Sequence, residues 1–432
     1  MIINSALLLV LLLAASLPVA AALALLGYAL GHLYTGMPIL RAIGEITWGA
    51  GSETILVSVP MFILMGEILL RSGIAERMYD AMVKWFSWLP GGLMHSNIAA
   101  CTLFAATSGS SAATAATIST VSIPEMRKHG YHAALFTGSL AAGGTLGILI
   151  PPSINLIVYG VLTDTSVPQL YLAGFIPGFI LSALFMLTIL VVCLVRPRWG
   201  GRRYSASWRE RWHSLPALLP PLGLFLIVIG SIYAGWATPT ESASLGVVAA
   251  IALAAWNGRL NWSVLKTALE GTMRSTSMIL LIFTAAFFLN FVISATGLSK
   301  EIVNLILDLR LTPLETMIAI VIFYLVLGCF METMAMMVTT VPLIEPIVRS
   351  MGYDSVWFGI IIILLVETAM ITPPVGINLY IVHGVRGEGA LHEVIAGAAP
   401  FVITLIAMVA LLIAWPELAL WLPRLWKEST GG

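Results

Sequence analysis

Residues 143–153 read Gly-Gly-Thr-Leu-Gly-Ile-Leu-Ile-Pro-Pro-Ser, and residues 372–378 read Thr-Pro-Pro-Val-Gly-Ile-Asn. Each sets a Pro-Pro pair inside an otherwise apolar stretch. Proline lacks an amide and blocks the helical bond to an upstream carbonyl, so each pair leaves carbonyls free. Broken backbone at membrane depth is tolerated only where protein or a water-filled cavity satisfies those groups. One such break would be an ordinary kink. Two in corresponding places point to a transporter binding site.

The correspondence extends outward from the prolines. Pro151-Pro152 and Pro373-Pro374 are 222 residues apart, as are Pro124 and Pro346. Asn155 and Asn378, each within Ile-Asn-Leu, are 223 apart; Gly160-Val161 and Gly384-Val385 are 224 apart, as are Gly73 and Gly297. A near-constant offset over this range marks an internal repeat.

The rest of the chain is membrane-like. Of 432 residues, 59% are hydrophobic and 10% charged, with mean hydropathy +0.98, where a soluble chain carries about 25% charged residues. A spanning helix needs about 20 apolar residues. Clean candidates are Ala6–Leu30, Thr54–Leu70, Leu170–Val195, Leu215–Tyr233, Ser242–Trp256, Ser275–Ile293 and Val394–Trp415. The first has no basic residue before it and no small-residue cleavage site, so it reads as a retained span. Between the clean spans lie two Gly- and Pro-interrupted stretches, Leu93–Val161 and Pro313–Val385.

This divides the chain into an N-terminal scaffold helix and connector (1–53), repeat 1 (54–195), a basic loop with linking helices (196–274), repeat 2 (275–415) and a C-terminal tail (416–432). The zero formal charge and the lack of a basic-aromatic cluster give no pointer to nucleic acid. Cys101, Cys193 and Cys329 lack C-x-x-C spacing, so neither a disulfide framework nor a metal site is indicated. His132 and His383 read as packed or helix-end residues rather than haem ligands, which need paired axial donors.

The positive-inside rule sets the orientation. The loop with Arg196, Arg198, Arg202, Arg203, Arg209 and Arg211 belongs in the cytoplasm. With Leu93–Ser122 and Pro313–Ile344 as re-entrant hairpins, Arg127 and Lys128 also fall inside. Of the 21 Lys and Arg, 15 are then inside and six outside: Arg41, Lys300, Arg310, Arg349, Arg424 and Lys427. Thr54–Leu70 runs inward and its mate Ser275–Ile293 outward. The expected fold is an all-α polytopic membrane protein of two inverted-topology repeats, each with a re-entrant hairpin and a Pro-Pro-broken helix.

The first hairpin tip, Thr107–Thr114, is rich in hydroxyls. Those oxygens and free carbonyls at a helix break suit a dehydrated Na⁺. The amides opening the next helix suit an anionic group. Small residues here also serve close helix packing. At the second tip, Gly328-Cys329-Phe330-Met331-Glu332-Thr333, a carboxylate near mid-bilayer calls for a partner, cavity or cation. Glu367 reads as support for the broken helix, and Glu67 as snorkelling or capping. Met331, Met334, Met336 and Met337 read as adaptable packing at a moving surface. Thr240 is expected to cap the helix that follows it, with Glu241 in its first turn.

Ser108–Thr114, Gly147–Ser153, Thr238–Glu241, Gly328–Thr333 and Glu367–Leu379 together resemble the large membrane (M, DctM-type) subunit of tripartite ATP-independent periplasmic (TRAP) transporters. The likeness runs through essentially the whole chain, in order. It implies the elevator architecture of the ion-transporter superfamily and Na⁺ as coupling ion, with no other cofactor or metal. It also implies a multi-pass bacterial inner-membrane protein importing an organic acid, a C4-dicarboxylate, sugar acid or similar carboxylate.

Two partners are implied: a periplasmic solute-binding protein (P type) and a small four-helix membrane subunit (Q type). The latter is expected on a separate chain, since nothing resembling it precedes Met1 or follows Gly432. Carried onto this sequence, one Na⁺ site takes Ser108, Gly109 and Ser110 with Gly147, Ile150 and Pro151. A second takes Gly328 and Glu332 with Thr372, Pro373 and Val375. Many relatives have Asp where this chain has Glu332. The neighbouring polar groups Ser111, Thr114, Ser153, Asn155, Thr333 and Asn378 are the substrate-binding candidates. Alternatives are a stand-alone divalent-anion/Na⁺ symporter, a redox or respiratory membrane subunit, and a membrane scaffold.

Overall fold

In a computed structural model, residues 2–15, 17–35, 38–202, 206–298, 301 and 311–430 are described. Arg203, Lys300 and Arg310, assigned above to faces of the membrane, lie outside them. The described residues contain helices and no strand.

The first apolar run is two helices rather than one span: α1 (Ile2–Ala14) and α2 (Val19–Tyr34). Pro18, directly before α2, cannot continue the helical bonding of α1. The short α3 (Ile43–Ser52) follows. Repeat 1 begins with α4 (Ser58–Arg71) and α5 (Ile74–Phe86) and continues into a hairpin, α6 (Gly92–Ser108) and α7 (Ser111–His129). The broken helix is α8 (Ala133–Leu149) and α9 (Ile154–Thr163), bent by 44° at the Pro-Pro pair. The 29-residue α10 (Val167–Val195) completes the repeat.

Linking helices α11 (Trp208–Ser214), α12 (Leu219–Tyr233) and α13 (Pro239–Trp256) come next. The cap of α13 is Thr238, not Thr240: Glu241 N donates to Thr238 Oγ1, Thr238 N donates to Glu241 Oε2, and Pro239 takes the first helical position. Proline there loses no helical bond, which moves the start two residues earlier than expected.

Repeat 2 runs through the 35-residue α14 (Trp262–Thr296), then the hairpin α15 (Pro313–Gly328) and α16 (Thr333–Ser350). The broken helix α17 (Ser355–Met370) and α18 (Ile377–Arg386) follows, then α19 (Leu391–Ala414). The stretch read as a tail forms α20 (Glu417–Thr430), which packs on α10 and α17. Six of the seven expected spans coincide with helices long and apolar enough to cross a membrane.

Two features recur at the repeat offset. Gly73 and Gly297 each follow a spanning helix in the left-handed conformation, at φ +73° and +74°. Pro124 and Pro346 each lie inside the second helix of a hairpin.

The ends of the hairpins pair crosswise. Arg127, at the end of α7, donates to the Arg386 carbonyl at the end of α18 (2.9 Å) and pairs with Glu388 (3.0 Å). At the other end, Tyr159 OH of α9 donates to the Ser355 carbonyl (2.7 Å), and Arg349 of α16 borders the same hollow as Asp164. Hairpin 1 therefore exits where broken helix 2 finishes, and hairpin 2 exits where broken helix 1 finishes. An inverted repeat requires this arrangement. The loop after α10 joins the Arg127 end: Arg202 N donates to the His129 carbonyl (3.0 Å), and His132 stacks on Trp199 at 4.0 Å.

Glycines let the broken helix sit deep in the bundle. A methyl group at Gly138 of α8 would lie 2.1 Å from the Gly397 carbonyl carbon and oxygen on α19. Two backbones meet there without side chains between them, the close approach small residues provide in membrane bundles.

Candidate ion and substrate site between the two hairpins

Both hairpin tips and both breaks meet at one cavity of about 390 Å³. Ser108–Ala113 line it from the first tip and Glu332–Met334 from the second; Ile148, Ile154, Asn155, Met370 and Ile377 line it from the breaks. Its remaining wall comes from α4 (Ile63, Gly66, Glu67) and α14 (Ser275, Met278, Ile279). Four helices, α7, α9, α16 and α18, begin at this cavity, and α6, α8 and α17 end beside it. Helix N-termini present free amides that favour anions, and C-termini present free carbonyls that favour cations.

The first tip is tightly closed. Gly109 turns the chain at φ +61°, and its amide donates to the Ala105 carbonyl (3.2 Å). Ser110 caps α7, its Oγ accepting from Ala113 N at 3.4 Å. Thr114 Oγ1 donates to the Ser110 carbonyl (2.8 Å) and lies 2.9 Å from Ser108 Oγ. The neighbouring break presses onto this turn. A methyl group would lie 2.7 Å from the Pro152 carbonyl oxygen at Gly109, and 2.5 Å from the Ser110 carbonyl oxygen at Gly147. Ile150 and Pro151 are buried, and Ser153 caps α9 while its Oγ donates to the Ile148 carbonyl (2.5 Å). Ser108, Gly109, Ser110, Gly147, Ile150 and Pro151 thus belong to one region, with Ser153 and Thr114 bonded inside it, behind the cavity wall.

The second tip is built differently. Glu332 caps α16, its Oε2 accepting from Met334 N (2.9 Å) and Ala335 N (3.1 Å), and its Oε1 accepting from Thr333 Oγ1 (2.7 Å). Glu332 stands 222 residues after Ser110, so the two caps are repeat mates. These three bonds leave at least one acceptor direction of the carboxylate open, and no cation pairs with it among the described residues. Gly328 lets the tip rest on the broken helix, since a methyl group there would lie 2.6 Å from Ala369 Cβ. Thr372 Oγ1 donates to the Thr368 carbonyl (2.7 Å); Pro373 is exposed and Val375 half-buried.

The two asparagines also differ. Asn378 Nδ2 crosses the repeat boundary and donates to Ser111 Oγ (2.8 Å) and to the Ala141 carbonyl (3.1 Å). In the mirrored position Thr333 has turned to Glu332, and Asn155 Nδ2, buried at the cavity wall, has no hydrogen-bond partner among the described residues. Glu367 is fully buried, and neither carboxylate oxygen has a hydrogen-bond partner among the described residues. It makes no bond to the broken backbone.

The residue reading missed the walls from α4 and α14. Glu67, read as snorkelling or capping, is an ion-pair partner of Arg71 and lines the cavity. The available signal was that α4 and α14 are repeat mates and so face the centre together.

Helices interrupted on two sides of a shared cavity, with hydroxyls, free carbonyls and helix N-termini converging, define the membrane permease of a transporter. Solved structures agree on the fold. The YdaH transporter of Alcanivorax borkumensis aligns with TM-score 0.65 at 16% identity, over 94% of this chain and 97% of that one. MtrF of Neisseria gonorrhoeae aligns with TM-score 0.54 at 14% identity, over 89% and 83%.

Residues 6–418 match the family described as tripartite ATP-independent periplasmic transporter, DctM component. The C4-dicarboxylate TRAP transporter large permease protein DctM of Pseudomonas aeruginosa is 34% identical, over 85% of this chain and 86% of that protein. The sialic acid TRAP transporter large permease protein SiaM of Vibrio cholerae is 31% identical over 96% of both. The ectoine TRAP transporter large permease protein TeaC of Halomonas elongata is 31% identical over 85% and 86%. The chain belongs to the DctM family of TRAP transporter large permeases. It is a multi-pass protein of the inner membrane and a transport protein, not an enzyme.

Proposed function

We propose that this permease couples Na⁺ entry to import of an organic acid through the cavity between the hairpins. The observation that carries the reading is the charge of the wall: among the described residues no lysine or arginine lines it, and of its two carboxylates Glu67 is paired with Arg71 while Glu332 has no cationic partner. An organic anion entering alone meets the unpaired Glu332 carboxylate in a region of reduced dielectric, where like charges repel strongly. A cation bound first at Glu332 and the nearby carbonyls offsets that repulsion. The anion then finds the first turns of α7, α9 and α18 and the free amide of Asn155. Cation and anion each stabilise the other's binding, which is what coupled transport requires.

Na⁺ fits the hydroxyl and carbonyl oxygens better than a metal that needs nitrogen or sulfur ligands. One ion takes Ser108, Gly109 and Ser110 with the Gly147–Pro151 carbonyls. A second takes Gly328 and Glu332 with Thr372, Pro373 and Val375. The two hairpins and broken helices move together as an elevator, carrying the loaded cavity across. A periplasmic receptor delivers the acid, and a small four-helix membrane subunit completes the scaffold. The relatives' printed substrates, C4-dicarboxylate, sialic acid and ectoine, set the range to be screened.

The test is uptake into proteoliposomes holding this chain with its small subunit. Labelled acid is expected to accumulate only with receptor outside and an inward Na⁺ gradient. Uptake by this chain alone, without receptor, would favour the stand-alone symporter.

A further inference from the structure

A second cavity, of about 650 Å³, lies away from the transport site, between α5, α6, α10 and α11. Its lining is apolar and aromatic, including Trp85, Trp88, Leu103, Phe179 and Trp208. Of the polar groups in the lining, the Thr102 and Ser182 hydroxyls bond to each other at 2.7 Å, and two donors are left unanswered. Trp85 Nε1 and Arg211 Nε are both buried and have no hydrogen-bond partner among the described residues. The Arg211 guanidinium lies 4.8 Å over the Trp208 ring and makes no ion pair among the described residues. Arg211 as a whole is half-buried, and leaving its buried Nε donor unanswered costs the desolvation of that group.

The surroundings say what kind of anion fits. Trp85 meets Trp208 and Trp212 edge-on at 6.5 and 6.2 Å, and Trp88 stands beside them, half exposed. Tryptophans gathered at one level sit where a membrane meets water. From 196 to 211 the sequence holds six arginines against one acidic residue, Glu210, a basic cluster of the kind that attracts anionic lipid headgroups. An apolar hollow with unanswered donors at an aromatic, basic rim has the chemistry of an acyl chain ending in a phosphate.

We propose that this cavity is a binding site for one anionic phospholipid, its acyl chain between α6 and α10 and its phosphate accepting from Arg211 and Trp85. The site pins α11 and the basic loop to α5 and α6, and so ties the start of hairpin 1 to the bilayer.

The experiment is native mass spectrometry of the full chain together with its small membrane subunit, released from detergent and titrated with phosphatidylglycerol or phosphatidylethanolamine of equal chain length. One phosphatidylglycerol is expected to survive activation that strips phosphatidylethanolamine. Arg211→Gln should lower the retained fraction about five-fold, and Arg211→Lys should restore most of it. Near-ultraviolet circular dichroism and uptake report whether R211Q is folded. Equal retention of the two lipids, or retention unchanged in folded R211Q, overturns the proposal. Preferential binding seen only when the small subunit is left out also overturns it, since that subunit then covers the cavity.

Discussion

At the first hairpin tip the helix cap is a serine, and the break beside it, Ile150–Ser153, is buried throughout. At the second the cap is a carboxylate, the break spans residues 371–376, and Pro373 and Pro374 are exposed. Equivalent places in the repeat thus carry a closed, neutral half and an open, charged half. Even the close packing has changed sides: the repeat mate of Gly147 is Ala369, and the glycine that makes room for Ala369 is Gly328 of the hairpin. On the proposed mechanism the first half is a preformed ion cradle. The second is the half whose charge makes an anion's entry depend on a cation.

Breaking the closed half has the largest expected effect. Gly147→Ala puts a methyl group against the Ser110 carbonyl, which is backbone and cannot rotate away. Overpacking of this kind costs about 1–3 kcal/mol; borne by the carbonyls that hold the ion, it should lower Na⁺-driven uptake about five- to 150-fold. Ala369→Gly in the open half only removes a methyl group and should stay within about threefold. Equal effects of the two would erase the asymmetry.

Removing the charge of the open half comes next. Glu332→Gln keeps the size and some capping but not the negative charge, and should raise the Na⁺ concentration for half-maximal uptake about tenfold. Ser110→Ala, at the mated cap, loses about 1 kcal/mol of helix capping and should lower the melting temperature by a few degrees while moving that concentration less.

The asparagines sharpen the comparison further. Asn378→Ala deletes two hydrogen bonds, about 1–3 kcal/mol together, visible as a lower melting temperature without ligand. Asn155→Ala deletes none among the described residues, where its Nδ2 has no partner. Its cost should show as a KM for receptor-delivered acid raised about five-fold, with stability unchanged. The smallest effect belongs to Glu367→Gln, an isosteric change of a side chain that bonds to nothing described; uptake should stay within about twofold. A large loss there would move the second ion site to α17.

Much of this was legible because proline and glycine act locally. The two Pro-Pro breaks and the hairpin tip at Gly109 follow from backbone chemistry that needs no tertiary context, whereas Gly73 and Gly297, read only as a matched pair, turn out to be left-handed helix ends. The same chemistry was under-read at Pro18, which splits the first apolar run, and at Pro239, which makes Thr238 the cap of α13. Less of the site could be read. That Asn378 reaches Ser111 across 267 residues of sequence, while Asn155 is left open, depends on which hydroxyl Glu332 captures. The cavity walls of α4 and α14 carry no motif, since Gly66, Met278 and Ile279 are ordinary span residues until the hairpins are placed beside them.

The most direct test is the Na⁺ dependence of receptor-delivered acid uptake, measured in proteoliposomes for wild type and Glu332→Gln with the small subunit present in both. Uptake is predicted to vanish without Na⁺, to rise with more than first-order dependence on its concentration, and to shift to higher concentration in the variant. Uptake that follows a proton gradient without Na⁺, or a Na⁺ dependence identical in the two proteins, would contradict the account.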